Sequence, residues 1–289
     1  MGIYAEKGAF FMRDYAYYNG VFTPYDSAVI PLSDRSIFFA DAVYDVILGR
    51  CGIPYQIDEH LQRLMKNANA IGLGEEALKS EIIEAIDILL EEAEADDFML
   101  YIQLSARQKR RCHSRDELGS NLLLTVTSAE IPVRLGFTSA ITLPDLRHAY
   151  CNVKTTNLLA SVLSVMDAEA LGCETAIFRR GSIVTEASAS NVSILKDNLL
   201  ITHPLDRSIL PGISELNLIR AAKKLGVGHE RREFSVGEMM SADAVILSST
   251  TKLIRMCQSI DGVDLPSSGY EVVSSIFNEM LSDLPRRTT

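Results

Sequence analysis

No C-x-x-C pair occurs in this chain, and its five cysteines (Cys51, Cys112, Cys151, Cys173 and Cys257) are odd in number and widely spaced. That pattern indicates neither a disulfide framework nor a zinc knuckle, and it fits reduced thiols in a cytosol. The histidines His60, His113, His148, His203 and His229 never fall four apart on one helix beside a glutamate, so no metal site is expected. Long apolar runs are missing as well. The uncharged stretch 155–166 is shorter than the roughly 20 residues a membrane-spanning helix needs. The opening MGIYAEKGAFFMRDY interrupts its apolar residues with Glu6, Lys7, Arg13 and Asp14, which leaves no signal-peptide core. The expectation is a soluble, cytoplasmic protein. Positive charge is also scarce: 28 Lys and Arg stand against 38 Asp and Glu, a net charge of −10. A field of that sign repels phosphate backbones and anionic lipid, so neither nucleic acid nor a membrane is an expected partner. A small anionic cofactor or metabolite stays possible if a local cluster of donors holds it.

What is there has globular proportions. The 289 residues are 47% apolar and 23% charged, with 17 Gly and 9 Pro, which excludes collagen-like, disordered and coiled-coil classes. The length suits one large or two ordinary domains. Alternation predicts a strand over 15–22 with a turn signal at Asn19-Gly20, and another over 42–48. Helical spacing of Leu61, Leu64, Met65, Ala68 and Ile71 predicts a helix capped by Asp58 and ended by Gly72, and 75–95 repeats the pattern. Strands follow at 98–104 and 121–127. The stretch 129–136 loses both periodicities and contains Pro132, so an interdomain linker is expected over 129–137. It separates a smaller N-terminal domain, 1–128, from a larger C-terminal one, 138–289. The second half reads as strands at 139–143, 175–178, 183–184, 192–195, 199–202 and 244–247, with helices at 156–171, 213–225 and 270–284. Strands mixed with helices, without strict βαβ alternation, indicate an α+β fold.

Three short matches carry no weight. Gly72-Leu-Gly-Glu-Glu-Ala77 fits G-x-G-x-x-A but follows a helix and offers two carboxylates where pyrophosphate would sit. Ser193-Ile-Leu-Lys196 fits S-x-x-K but lacks its companion motifs. Asn191-Val-Ser193 is a glycosylation sequon without a secretory signal.

The informative segment is Asp145-Leu-Arg147-His-Ala-Tyr-Cys-Asn-Val-Lys154-Thr-Thr-Asn-Leu-Leu-Ala160. Lys154 closes an extended stretch just before an apolar helix, where desolvation would free a neutral amine for Schiff-base chemistry. Read alone, this segment favours a lysine that snorkels to water. Three further motifs reverse that balance. Val184-Thr-Glu186-Ala-Ser-Ala-Ser-Asn191 sets an acid at a strand end, and Leu210-Pro-Gly212-Ile213-Ser214-Glu215 presents small residues at a helix start suited to phosphate. Ser248-Ser-Thr250-Thr251 follows a strand with further donors. A lysine, an acid and two phosphate cradles are what pyridoxal phosphate needs.

Taken in order, VKTTNLLASVLSVMDAEALGCETAIFR, VTEASASN, LPGIS and LSSTT resemble the fold-type IV pyridoxal-phosphate aminotransferases, most closely the D-amino-acid aminotransferases. In the first half, Leu32-Ser-Asp-Arg35, Phe39-Ala-Asp41-Ala-Val-Tyr44-Asp45 and Asp58-Glu-His-Leu-Gln-Arg63-Leu look like the same family's N-terminal segments. The likeness spans nearly the whole chain. It implies a two-domain α+β homodimer, with the cofactor between the domains and amino acids and 2-oxo acids as substrates. By the same resemblance, Lys154 forms the Schiff base and later carries the substrate proton, and Glu186 pairs with the pyridine nitrogen. Arg147 lies near the phenolic oxygen, and Leu210 packs on the ring face. Arg63, Ile213, Ser214 and Thr250 match the phosphate site. Arg111 and His113 resemble a trap for the substrate carboxylate that reaches in from the partner subunit; the alternative is a solvated basic turn, since Lys109, Arg110 and Arg115 crowd the same loop. One departure stands out. Relatives commonly carry a tyrosine two residues after the D-R pair, where this chain has Ile37; Tyr44 is a hydroxyl that could compensate. The resemblance implies transfer of an amino group from a D-amino acid such as D-alanine by a ping-pong cycle. A branched-chain L-amino-acid aminotransferase and a 4-amino-4-deoxychorismate lyase would use the same cofactor site.

Overall fold

The computed structural model describes residues 13–74, 78–115 and 119–286 of the chain. Asn19 and Gly20 both take positive φ, 44° and 88°, the left-handed pair a two-residue hairpin turn requires. The segment expected as one strand is therefore a hairpin, β1 (Tyr15–Tyr18) and β2 (Val21–Pro24). Next come α1 (Arg35–Phe39), β3 (Ala42–Arg50), β4 (Ile53–Pro54), α2 (Ile57–Ala70), α3 (Leu78–Glu92), β5 (Phe98–Ala106) and β6 (Ser120–Ser128). The strands form an antiparallel sheet in the order β2-β1-β6-β5-β3-β4. Helices α2 and α3 cover it. Leu61, Leu64 and Ala68 of α2, with Leu78, Ile82, Ile86 and Leu89 of α3, recur at helical spacing and are buried. Each such leucine or isoleucine stabilises the fold by about 1.5–3 kcal/mol.

The α2 start differs from expectation. Gln56, at φ 54°, occupies the N-cap, and Asp58 lies inside the first turn. The reason is tertiary: the Gln56 amide exchanges two hydrogen bonds with that of Asn217, at 2.8 and 2.6 Å. Asp58 still favours the helix through the N-terminal dipole. Gly72, at φ 73°, follows the end of α2 as expected. The predicted start of the next helix and the end of the G-x-G-x-x-A match fall on residues 75–77, outside the described residues.

Residues 129–135 form neither helix nor strand. Beyond them come β7 (Gly136–Pro144), α4 (Leu159–Ala170), β8 (Thr175–Arg180), β9 (Ile183–Ala187), β10 (Asn191–Lys196), β11 (Leu199–Thr202) and α5 (Ile213–Lys224). The chain continues through β12 (Gly228–Arg231), α6 (Val236–Met240), β13 (Ala244–Ser249), β14 (Leu253–Ile260), β15 (Val263–Asp264) and α7 (Tyr270–Ser282). The second sheet runs β12-β11-β10-β13-β14-β7-β8-β9, with β15 on β14. Its pairings are mixed, parallel at β14–β7, β7–β8 and β11–β12. Strand β9 returns to β10 through the pair Glu186 and Asn191, closing a ring of strands with an acid at its seam. Helices α5 and α7 share one apolar cluster with β13 and β14, while Phe234 and Met239 pack against the other face. The two-sheet α+β architecture agrees with the sequence reading. Strand β14 was not expected, because Arg255, Gln258 and Ser259 break its alternation where it slips register against β7.

Candidate active site

The two sheets meet along a cleft of about 540 Å³, a size that suits a small ligand. Lys154, Glu186, Arg63, Arg147, Leu210, Ile213, Ser214 and Thr250, the lysine and cofactor-site residues expected from sequence, all line it. Arg111 and His113 do not.

Lys154 lies in an irregular stretch; α4 begins at Leu159, three residues later than expected. Its backbone is pinned across the molecule, since the carbonyl accepts from Tyr44 N (2.9 Å) and Thr156 N donates to Ala42 O (3.2 Å). The side chain is half-buried, less enclosed than the sequence suggested. Its Nζ donates to the Tyr44 hydroxyl at 3.3 Å and lies 4.3 Å from the Tyr44 ring centroid. Tyr44 stacks in turn on Tyr101, 5.3 Å between centroids. Ile37 is exposed on α1 and outside the lining, so the hydroxyl beside the lysine is that of Tyr44.

Glu186 is buried at the end of β9. Its Oε1 accepts from Arg147 Nη1, and its Oε2 accepts from Leu210 N (3.0 Å) and Asn191 Nδ2 (3.3 Å). A carboxylate offers about four lone-pair positions, so these donors leave room for one more. Burial pushes the Glu186 carboxyl up to about 7, against the opposing pull of Arg147, the Leu210 N–H and Lys154. Arg147 also gives Asp145 a bidentate pair through Nε and Nη2, both at 2.9 Å, and lies over the Phe178 ring. Burial opposes the Arg147 charge, yet Asp145 and Glu186 hold its pKa above the ordinary value. The sequence reading set Arg147 near the phenolic oxygen; here its contacts are with Glu186, Asp145 and the Ser208 carbonyl.

At the other end of the cleft, Gly212 caps α5, and Ile213 and Ser214 begin the helix, whose first N–H groups have no intrahelical partner. Arg63 joins them, with Nη1 donating to Pro211 O at 3.1 Å. Ser248 lines the cleft with a buried hydroxyl that has no hydrogen-bond partner among the described residues. Cationic and N–H donors at one end, an acid near neutrality at the other and a lysine amine within electrostatic reach of that acid fit pyridoxal phosphate. The phosphate would take the donors and the ring nitrogen the acid.

The loop around Arg111 and His113 is exposed. Buried Arg35 anchors it by donating to the carbonyls of Cys112 (2.5 Å) and His113 (3.2 Å), and its Nε donates to Asp41 Oδ2 at 2.8 Å. Arg35 of the D-R pair therefore supports this loop, a role the sequence did not disclose. Sequence reading also missed His148, which lines the cleft and whose pKa is lowered by burial and Arg147. It missed Asp45 and His60 beneath Arg63 too. An aspartate inside the apolar strand Ala42-Val-Tyr-Asp-Val-Ile-Leu48 was the available signal.

A two-domain α+β scaffold with this cleft defines a pyridoxal-phosphate enzyme of fold type IV. Residues 42–260 match the family described as amino-transferase class IV, and the chain belongs to it. It is thus a pyridoxal-phosphate-dependent transaminase. It is similar to a D-alanine aminotransferase of Bacillus licheniformis, 31% identical over 281 residues covering 92% of this chain and 97% of that one. A D-alanine aminotransferase of Listeria monocytogenes serotype 1/2a is 35% identical over 83% and 85%. Among solved structures, a branched-chain amino acid aminotransferase of Escherichia coli shares the fold at TM-score 0.83 and 19% identity, covering 95% of this chain and 97% of that chain. A hypothetical aminotransferase of Mycobacterium tuberculosis in its PLP-bound form does so at TM-score 0.80 and 22% identity, covering 93% and 99%. No helix among the described residues is long and apolar enough to cross a membrane.

Proposed function

We propose that this enzyme transfers the amino group of a D-amino acid such as D-alanine to a 2-oxo acid by a ping-pong cycle, as a cytoplasmic homodimer. The linker expected over 129–137 is read as ending at residue 135, because Gly136 and Phe137 already pair within β7; it joins a 1–128 domain to a C-terminal domain, expected over 138–289, that holds most of the cofactor site. One observation carries the reading of the chemistry: Lys154 Nζ, held by the Tyr44 hydroxyl, shares a cleft with a buried Glu186 whose pKa is raised to about 7. Likeness to two D-alanine aminotransferases over more than four-fifths of the chain supports the D-amino-acid preference.

The bound cofactor supplies an electron sink for the Cα bond pair. The protein supplies the rest. The Lys154 amine takes the proton from substrate Cα and delivers it to the reacting carbon, acting from one fixed side. Glu186 pairs with the ring nitrogen and favours its protonated form, and Arg147, paired directly with Glu186, opposes the burial that raises its pKa. Arg63, the Ile213 and Ser214 N–H groups and Thr250 hold the phosphate, and Leu210 bounds the ring face. Arg111 and His113, on an exposed loop outside their own chain's cleft, grip the substrate carboxylate from the second copy.

The test is a panel of amino acids in both enantiomers, with and without a 2-oxo acid acceptor, followed by chiral product analysis. D-alanine should be consumed and pyruvate formed over many turnovers only when acceptor is present. Preferential use of L-leucine or L-isoleucine would replace this reading with a branched-chain one, and sustained pyruvate release from aminodeoxychorismate without acceptor would make the enzyme a lyase.

A further inference from the structure

Strand β3 carries an ionisable side chain that faces away from the cleft and is fully enclosed. Asp45 is 0% exposed, and Arg63 and His60 reach it from α2, where their spacing of three sets them on one face. Asp45 Oδ1 accepts from Arg63 Nη2 and from His60 Nδ1, both at 2.8 Å, and Oδ2 accepts from Arg63 Nε at 2.9 Å. The Val46 N–H also donates to Oδ1, at 2.8 Å. Burial opposes ionisation here, but Arg63 and His60 prevail and hold the Asp45 carboxyl below the usual range. As a carboxylate it only accepts, so the hydrogen between the two rests on His60 Nδ1.

Arg63 has five N–H donors. Two go to Asp45 and one to the Pro211 carbonyl, at the turn into α5. One N–H on each terminal nitrogen is left. Arg63 lines the cleft, whereas Asp45 and His60 do not. We propose that Asp45 and His60 are positioning residues, which lock the Arg63 fork against the start of α5 and so set the enzyme's preference for the phosphorylated over the unphosphorylated cofactor. This rests on the reading of Arg63 as a phosphate ligand. Asp45 cancels much of the Arg63 charge, so the anion is selected by the fixed direction of the donors more than by net positive charge. A guanidinium freed of its carboxylate would gain charge but lose that direction, and its rotamer freedom would have to be lost on each binding event.

The test measures dissociation constants of pyridoxal phosphate and of pyridoxal for full-length protein freed of cofactor, by absorbance titration. Asp45→Asn, which keeps shape and removes charge, should weaken pyridoxal phosphate at least about tenfold while pyridoxal changes less than about twofold. His60→Leu should shift the same ratio in the same direction by a smaller factor, and it carries the test if Asp45→Asn does not fold. Equal weakening of both vitamers, or an unchanged ratio in the variants that fold, overturns the positioning role. Arg63→Ala separates the two ideas. If it leaves the ratio at the parental value, the phosphate reading itself fails; if it collapses the ratio while the Asp45 and His60 variants do not, only the positioning inference falls.

Discussion

Glu186 shows how a single residue's setting controls the chemistry. A glutamate in water ionises near 4.5, and burial at the β9–β10 seam lifts this one to about 7. The folded protein therefore retains a proton between those values that the unfolded chain has lost. Stability from this group is complete below 4.5 and disappears as pH rises through about 7. At about 1.4 kcal/mol per pH unit, the difference reaches about 3 kcal/mol. On cofactor-free protein, urea unfolding should show Glu186→Gln gaining on the parent chain by up to that amount as pH is raised from about 4.5 to 8. A difference that stays flat with pH would mean the carboxyl is ionised throughout. The same substitution should lower turnover, since a neutral amide holds a ring proton poorly.

At the scale of elements, the start of α5 is fitted to its neighbours through glycine. Gly212 has an ordinary φ of −74°, so its requirement is one of space. A Cβ there would lie 1.9 Å from Asn191 Oδ1. Asn191 cannot swing aside cheaply, because it is buried and its Nδ2 donates to both Leu210 O (2.8 Å) and Glu186 Oε2. Gly212→Ala should destabilise the protein by about 1–3 kcal/mol, and the displaced Asn191 should also weaken cofactor retention through Glu186. Denaturation and spectroscopic titration of the variant check both effects, and a stability within error of the parent would mean that the seam yields freely.

At the scale of the whole molecule, the proposed homodimer makes a prediction that no single chain can satisfy. Lys154 lines the cleft of its own chain, and the Arg111 loop stands outside it. Lys154→Ala and Arg111→Ala should each be nearly inactive alone. After subunit exchange, a mixed dimer with two-fold symmetry broken carries one intact site, so an equal mixture should recover about a quarter of parental activity. No recovery after demonstrated exchange would assign Arg111 to its own chain's site or to none. The helix beside the cleft is consistent with a covered surface: Leu159, Val162, Leu163 and Met166 of α4 are at least half exposed in the isolated chain, an apolar grouping of the kind that marks interaction sites.

Local chemistry made much of this protein legible in its sequence. The Asn19-Gly20 turn, the apolar stripes of α2 and α3, Gly72 after α2, and the segments that carry Lys154, Glu186 and Ser214 all depend on neighbours a few positions away. What the sequence left open depends on distance through space. Arg63 meets Pro211 across 148 positions, Gln56 meets Asn217 across 161, and Arg147 meets Glu186 across 39. No periodicity reports such encounters. Tertiary structure alone enclosed Asp45 with its two partners, moved the α2 cap to Gln56, added β14 and raised Glu186 towards neutrality. Burial and long-range pairing set ionisation, and both exist only once the two sheets have closed on each other.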